Sequence, residues 1–505
     1  MKKLTVNLEN KLGTIQPELH GQFIEVLGSC IYDGIWVGEN SSIENICGIR
    51  RDFVEAMREI QPPLIRWPGG CYADTYHWRD GIGPKEQRPV TYNENFGTMM
   101  PDDHSFGTHE FMQLCQLVGA KPWLNVNLLT GSVQEMKDWM EYCNRSSGSD
   151  LAKLREKNGS TEPFRAEYWG IGNEAWDGGG KFTAEGYANE YRRYSSAVPS
   201  FRQQPDDPDA PAMKLILSGP DGNKPRERVR WTQDLFRAFA EYRCPNFYGL
   251  DLHFYNWNLE NPAEGADNFT KDDFNRVVRS CFELENVICQ QHQLIEEGLA
   301  ALPAPEGPFP AAKKTCALLV GEWGNWHAAS FDVRPALWQQ VSMRDAITTA
   351  LTLDIFHRNC EKISAACVAQ TVNVLNALFL TDGPHFVKTP NYDVFRMYLP
   401  HRGAEAVECH IDAEDIYVFA SAKDGQLCIN LVNASYDQAQ PLVIPLSGCF
   451  VAGSQLSSQK PTDCNTWEKP DLVREKPFSD VYKTSDGWML TVPAASVTVL
   501  RFALD

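Results

Sequence analysis

The sequence predicts an α/β protein, a (β/α)₈ barrel followed by a C-terminal antiparallel β-sandwich. Two observations carry the barrel. Short, nearly continuous apolar runs recur through the first three quarters of the chain, and amphipathic stretches separate them. That alternation is the pattern of parallel strands joined by helices. The third observation is a change of texture after 388–390, where short runs alternate apolar and polar residues between glycine or polar turns, as strands of a sandwich do. A doubly wound open sheet is the competing arrangement for the first part.

The elements follow in chain order. Segment 3–9 (KLTVNLE) already alternates, so residues 1–18 are expected to cross over and join the sandwich. Barrel strands are expected at 19–28, 62–70, 120–131, 165–174, 213–222, 246–257, 315–323 and 362–373. Their near-continuous apolar character suits strands covered on both faces. Helices are expected at 50–60, 107–119, 132–143, 183–198, 226–242, 272–298 and 343–359, where apolar residues fall three and four apart. Proline-rich stretches 199–211 and 302–312 read as loops leading into the fifth and seventh strands. The barrel is thus assigned to 19–390 and the sandwich to 391–505.

Charge and cysteine usage narrow the function classes. Lys and Arg number 47 against 66 Asp and Glu, a net charge of −19. Such a surface repels phosphate, which argues against nucleic acid and anionic membranes and favours small neutral substrates. No apolar segment follows Lys2 and Lys3, and no run is long enough to span a bilayer. The 15 cysteines are scattered singly without a C-x-x-C pair, the usage of a reduced, cytoplasmic chain. His104 and His109 lie five apart, off the metal-binding i, i+4 spacing, and GIGNEAW (170–176) lacks the third glycine of a dinucleotide fingerprint. Neither metal nor cofactor is expected.

Strand ends in a barrel of this kind face a shared mouth. Reading each end gives Glu25, Arg66, Asn125 with Asn127, Asn173 with Glu174, Asp221 with Asn223, His253 with Tyr255, Glu322, and Gln370 with Asn373. This lining suits a neutral polyhydroxylated ligand. Two carboxyl groups across one pocket are what glycoside hydrolysis requires, one to protonate the leaving oxygen and one to attack or to activate water. Trp176, Trp257, Trp323 and Trp326 are candidates for sugar-stacking walls or for core filling. Cys71 is the thiol expected near the site, as a wall residue.

With these residues in place the chain resembles the family 51 α-L-arabinofuranosidases, a family of retaining (β/α)₈ enzymes. The matching motifs are RWPGG (66–70), WRDGIGP (78–84), FGTHEF (106–111), WGIGNE (169–174), LHFY (252–255), GEWGNW (321–326) and AQTVNV (369–374). The resemblance implies Glu174 as general acid/base, Glu322 as nucleophile, and Asn173 on the sugar 2-hydroxyl. Glu25, Arg66, His253, Tyr255 and Gln370 are implied to hold the sugar or orient the nucleophile, and Cys71, Trp176 and Trp323 join them as candidate lining residues on the reading of the residues alone. It also implies arabinose-containing oligosaccharides as substrate, a covalent intermediate with carboxyls about 5–5.5 Å apart, and a homo-oligomer.

Three positions depart from the pattern: Cys71 where many relatives carry Asn, Gly321 where Asp is common before the nucleophile, and the loop 175–182. Together they look closer to members acting on xylan side chains than to arabinan specialists. The same barrel also accommodates an endo-β-glucanase or β-xylosidase, and a non-catalytic sugar-binding protein is the alternative from another class.

Overall fold

The computed structural model describes residues 2–97, 100–201, 204, 207–261, 264–303, 314–333 and 335–504. Most of the loop expected at 302–312, and part of that at 199–211, lies outside the described residues. Eight parallel strands close into a barrel in chain order. They are β2 (Gly21–Phe23), β3 (Leu64–Trp67), β4 (Lys121–Val126), β5 (Tyr168–Ile171), β6 (Lys214–Asp221), β7 (Gly249–Asn258), β8 (Ala317–His327) and β9 (Ile363–Ala369), with β1 (Lys2–Thr14) preceding them. Closure is what sends every strand's C-terminal end to one mouth, and an open sheet would have spread them along an edge.

The helices bury the stripe their spacing announces. In α1 (Arg51–Ile60), Phe53, Val54, Met57 and Ile60 face the barrel. Helix α2 covers Thr108–Val118. The Ser132 hydroxyl accepts the amide of Glu135 to cap α3 (Val133–Asn144), which α4 (Asp150–Lys157) follows as an element the periodicity had not suggested. Thr183 likewise caps α5 (Ala184–Ser195), and α6 spans Pro225–Glu241.

One expected helix is broken. Instead of running through 272–298, the chain forms α7 (Lys271–Ser280) and α8 (Glu283–Ala301). At the turn between them the Phe282 ring packs 4.7 Å from Tyr417 of the sandwich. A contact between domains leaves no trace in local periodicity.

Helix α9 (Met343–Arg358) is buried along nearly its whole length because the sandwich covers the face that neighbouring helices do not. Helix α10 (Pro390–Met397) packs against α9 and α1, so barrel elements continue to Met397. Beyond it lies a ten-stranded sheet that closes over a second apolar core of Leu4, Val407, Leu427, Ile429, Leu442, Leu490 and Phe502. Strand β1 belongs to it, pairing antiparallel with β10 (Glu405–Ile411) from Leu4↔Ile411 to Thr14↔Glu405, and parallel with the strand Gln440–Ile444.

Buried histidines join the barrel floor to this sheet. His20, just before β2, places Nε2 2.9 Å from Nε2 of His357 on α9. The His357 ring lies 5.3 Å from His401, whose two nitrogens meet Ser421 Oγ at 2.7 Å and Asn430 Oδ1 at 2.8 Å.

Candidate active site

The mouth of the barrel gathers the polar strand ends. On β7 the side chains of Asp251, His253 and Tyr255, each two residues apart, point to the interior, since strand side chains alternate. Register sets His253 of β7 beside Glu322 of β8. Glu174 follows β5 in a tight turn, where its carbonyl accepts the amides of Asp177 and Gly179 and its own φ is 39°. That left-handed backbone costs a non-glycine residue about 1–3 kcal/mol, and here it throws a carboxylate across the pocket instead of out to solvent.

Arg66 is the hub. Fully buried on β3, it donates Nη1 to Glu322 Oε1 at 2.7 Å and Nη2 to Asn173 Oδ1 at 2.7 Å. Its guanidinium lies over the Phe23 ring at 4.5 Å and near Trp123 at 5.5 Å, which prevents it from swinging away. Tyr255 donates its hydroxyl to Glu322 Oε2 at 2.6 Å. Both oxygens of Glu322 are therefore held by donors. Burial opposes ionisation of Glu322, but His253, Arg66 and the Tyr255 hydroxyl outweigh it and hold this carboxyl below the usual range.

Glu174 has the opposite environment. Its side chain keeps 19% exposure at the mouth, and its Oε1 lies 2.9 Å from His253 Nδ1. Desolvation raises its pKa, the His253 bond opposes that, and the negative charge of Glu322 adds to the rise. His253 is itself pushed up to about 10: burial disfavours its charge, and Glu322 and Asp251 more than compensate. Its two ring nitrogens each lie within hydrogen-bond distance of a carboxyl oxygen, Nδ1 at Glu174 and Nε2 at Asp251. Glu25 accepts the Tyr72 amide at 3.0 Å and Gln370 Nε2 at 2.7 Å. Burial and the charge on Glu322 raise it to about 7.

The remaining candidates divide. Cys71 Sγ lies 4.0 Å from Glu174 Oε2, with its thiol pushed up by burial and by that carboxylate, so it forms a neutral wall. Trp176 is half-buried and donates Nε1 to the carbonyl of Gly219. Trp323 is a correction. It is 2% exposed and packs on Phe356 and Phe395, away from the pocket, because it follows Glu322 on the same strand and adjacent side chains take opposite faces. Trp326 instead stands beside Tyr255, 5.1 Å away, with Phe331 stacked on it and Phe96 edge-on to it at the rim. Asn125, Asn127, Asn223 and Asn373 brace loops by bonding Gly69, Tyr76, Tyr255 and Ser29.

His104 and His109 are engaged by the Pro89 carbonyl and the Tyr142 hydroxyl. The ligand atoms of Glu174, His253 and Glu322 lie within 4.8 Å of one another, compact enough for a cation; the Arg66 guanidinium bonded to Glu322 already supplies positive charge beside that point. Asp251 was not singled out from sequence, although its two-residue step from His253 was a usable signal.

Comparison with known proteins agrees with this geometry. Residues 56–276 match the model of the α-L-arabinofuranosidase 1 domain, and 321–496 that of the α-L-arabinofuranosidase C-terminal domain. An intracellular exo-α-L-arabinofuranosidase of Bacteroides ovatus is 36% identical over 99% of this chain and 95% of its own length. The chain belongs to the α-L-arabinofuranosidases of family 51.

Solved members superpose throughout. The family 51 arabinofuranosidase of Xanthomonas axonopodis pv. citri has a TM-score of 0.89 and 31% identity, covering 99% of this chain and all of that one. The α-L-arabinofuranosidase of Thermotoga maritima, solved with arabinose, gives 0.83 and 25% with both chains covered completely. Barrel and β-rich domain are thus a single shared architecture in this arabinofuranosidase family.

Proposed function

We propose that this chain is a retaining exo-α-L-arabinofuranosidase that releases non-reducing terminal α-L-arabinofuranosyl units from arabinoxylan- or arabinan-derived oligosaccharides. The observation that carries the mechanism is the separation and contrast of two carboxyls. One carboxylate oxygen of Glu174 and one of Glu322 lie within 4.8 Å of each other, a closeness compatible with the roughly 5–5.5 Å carboxyl separation of double displacement. Their environments drive one to stay protonated and the other ionised, which is the division of labour required.

In the first half-reaction the Glu322 carboxylate attacks the anomeric carbon while Glu174 gives its proton to the departing glycosidic oxygen. A bond from Glu322 to the sugar forms as the glycosidic bond breaks. In the second, Glu174, now a carboxylate, takes a proton from water as the oxygen of that water displaces Glu322 and frees arabinose. Asn173, its amide oxygen fixed by Arg66, leaves its amide nitrogen without a protein partner. That nitrogen is placed to donate to the sugar 2-hydroxyl. A cytoplasmic location fits the free cysteines and the intracellular relative, and no described helix is long and apolar enough to cross a membrane.

The test is proton NMR of p-nitrophenyl α-L-arabinofuranoside hydrolysis in its first minutes. The expected first product is α-arabinofuranose. Appearance of the β anomer first would overturn the double displacement, and failure to cleave would overturn the substrate assignment.

A further inference from the structure

The buried carboxylate of Asp251 has no part in the two half-reactions, yet both of its oxygens are committed to groups that adjoin Glu322 and Glu174. Oδ1 accepts the backbone N–H of Gly321 at 2.6 Å, the residue just before Glu322. Oδ2 accepts from His253 Nε2 at 3.1 Å and stands 3.8 Å from Arg66 Nη2. Strand register explains why the Gly321 amide is available. Strands β7 and β8 pair Leu252 with Val320 and then His253 with Glu322, so Gly321 drops out of the ladder as a bulge. A bulge leaves its extra residue unpaired and re-aims the neighbouring side chain, here Glu322. Asp251 satisfies that stranded amide.

The same contact dictates the residue at 321. A Cβ built on Gly321 falls inside the Asp251 carboxylate, closer to both oxygens than any real contact allows. Only glycine leaves the carboxylate its place.

We propose that Asp251 is a positioning residue for the double displacement: it holds His253 as an imidazolium with Nδ1–H aimed into the gap between Glu174 and Glu322, and it anchors the bulge that presents Glu322. The proposal rests on the roles given to Glu174 and Glu322 above. Titratable groups reach His253 from every neighbouring strand: Asp251 on β7, Glu322 on β8, Glu174 after β5 and Asp221 on β6, with the charged Arg66 of β3 bonded to Glu322. Asp251 is the one that meets Nε2. Without it, Nε2 has no carboxylate to keep its proton, and the positive charge that lowers Glu322 is lost.

The decisive variant is Asp251→Asn, which keeps an oxygen for the Gly321 amide and turns an NH₂ toward His253 Nε2. In the wild type, ¹⁵N NMR of the His253 side chain at pH 8 should show both nitrogens protonated. In Asp251→Asn, Nε2 should be unprotonated, kcat/KM should fall about tenfold or more, and the acidic limb of the pH profile should move up by about one unit or more, the effect of removing a nearby opposite charge. Gly321→Ala, which displaces an intact Asp251, should move the same limb, and the double variant should be no worse than Asp251→Asn alone.

A neutral His253 in the wild type, or an Asp251→Asn enzyme with an unchanged limb and a protonated Nε2, overturns the proposal. So does an additive double variant. Failure of the wild type to cleave arabinofuranosides would instead sink the function, and the NMR reading of His253 would still decide the role of Asp251.

Discussion

Arg66 Nη1 lies 2.7 Å from Glu322 Oε1, and its Nη2 lies the same distance from Asn173 Oδ1. One planar fork thus fixes the candidate nucleophile and the residue proposed to meet the sugar. Lysine keeps the charge but is a single point donor and cannot reproduce that fork. Arg66→Lys should lower kcat/KM about 10–100-fold, the weight of one lost hydrogen bond to a charged or buried group. Kinetics on an aryl arabinofuranoside within twofold of the wild type would show that the fork is not required.

The pH profile should be a bell. Glu322 is held below the ordinary carboxylate range by His253 and Arg66 acting against burial, and activity requires it ionised, so the ascending limb belongs to it. Burial raises Glu174, and activity requires it protonated, so the descending limb is its own. With a p-nitrophenyl leaving group Glu174→Gln should flatten the descending limb and leave the ascending one in place. Persistence of the descending limb in that variant would assign it to another group.

Removing each carboxyl should have distinct consequences. Glu322→Ala should abolish turnover on every substrate, because no covalent intermediate can form. Glu174→Ala should retain the first step on activated aryl glycosides, which need little protonation, and should lose natural oligosaccharides. Azide should accelerate its turnover and yield the arabinosyl azide of retained configuration. Near-normal rates in both variants would refute the assignment.

Stability should fall with acid through the interface between barrel and sandwich. Burial lowers His401 to about 4, and burial with neighbouring positive charge also lowers His20 and His357. A base depressed in the folded state is protonated first in the unfolded chain, so its contribution is complete above pH 6.5 and drains as pH falls toward 4. For His401 that is about 3 kcal/mol. Asp354, raised by burial to about 7, works in the opposite direction, since its contribution is complete below pH 4 and is lost as pH rises to 7. The informative measurement is therefore a difference. Denaturant unfolding from pH 7 to 4.5 should cost the wild type about 2–3 kcal/mol more than His401→Gln, and equal slopes would remove His401 from the account.

Much of the site was legible because a barrel converts position in the sequence into position in space. A polar residue at the end of an apolar run has nowhere to go but the mouth, and Glu25, Arg66, Asn173, Glu174, His253, Tyr255, Glu322 and Gln370 are all such residues. Trp323 was misplaced although the rule that excludes it is local: with Glu322 inward, its neighbour must face the helices. The single helix expected over 272–298 failed for a reason no local rule contains, the seating of Phe282 on Tyr417.

The sequence by itself determined the alternation of strands and helices, the texture of the sandwich, and the polar strand ends. These depend on hydrophobic periodicity and on residue type, which are properties of neighbours along the chain. Only the tertiary structure decided that His253 and Arg66 lower the Glu322 carboxyl while burial raises that of Glu174, and that Asp251 fills the space left open by Gly321. Such outcomes depend on charges and atoms brought within a few ångströms from strands far apart in sequence, where the low dielectric of the interior gives each contact its weight.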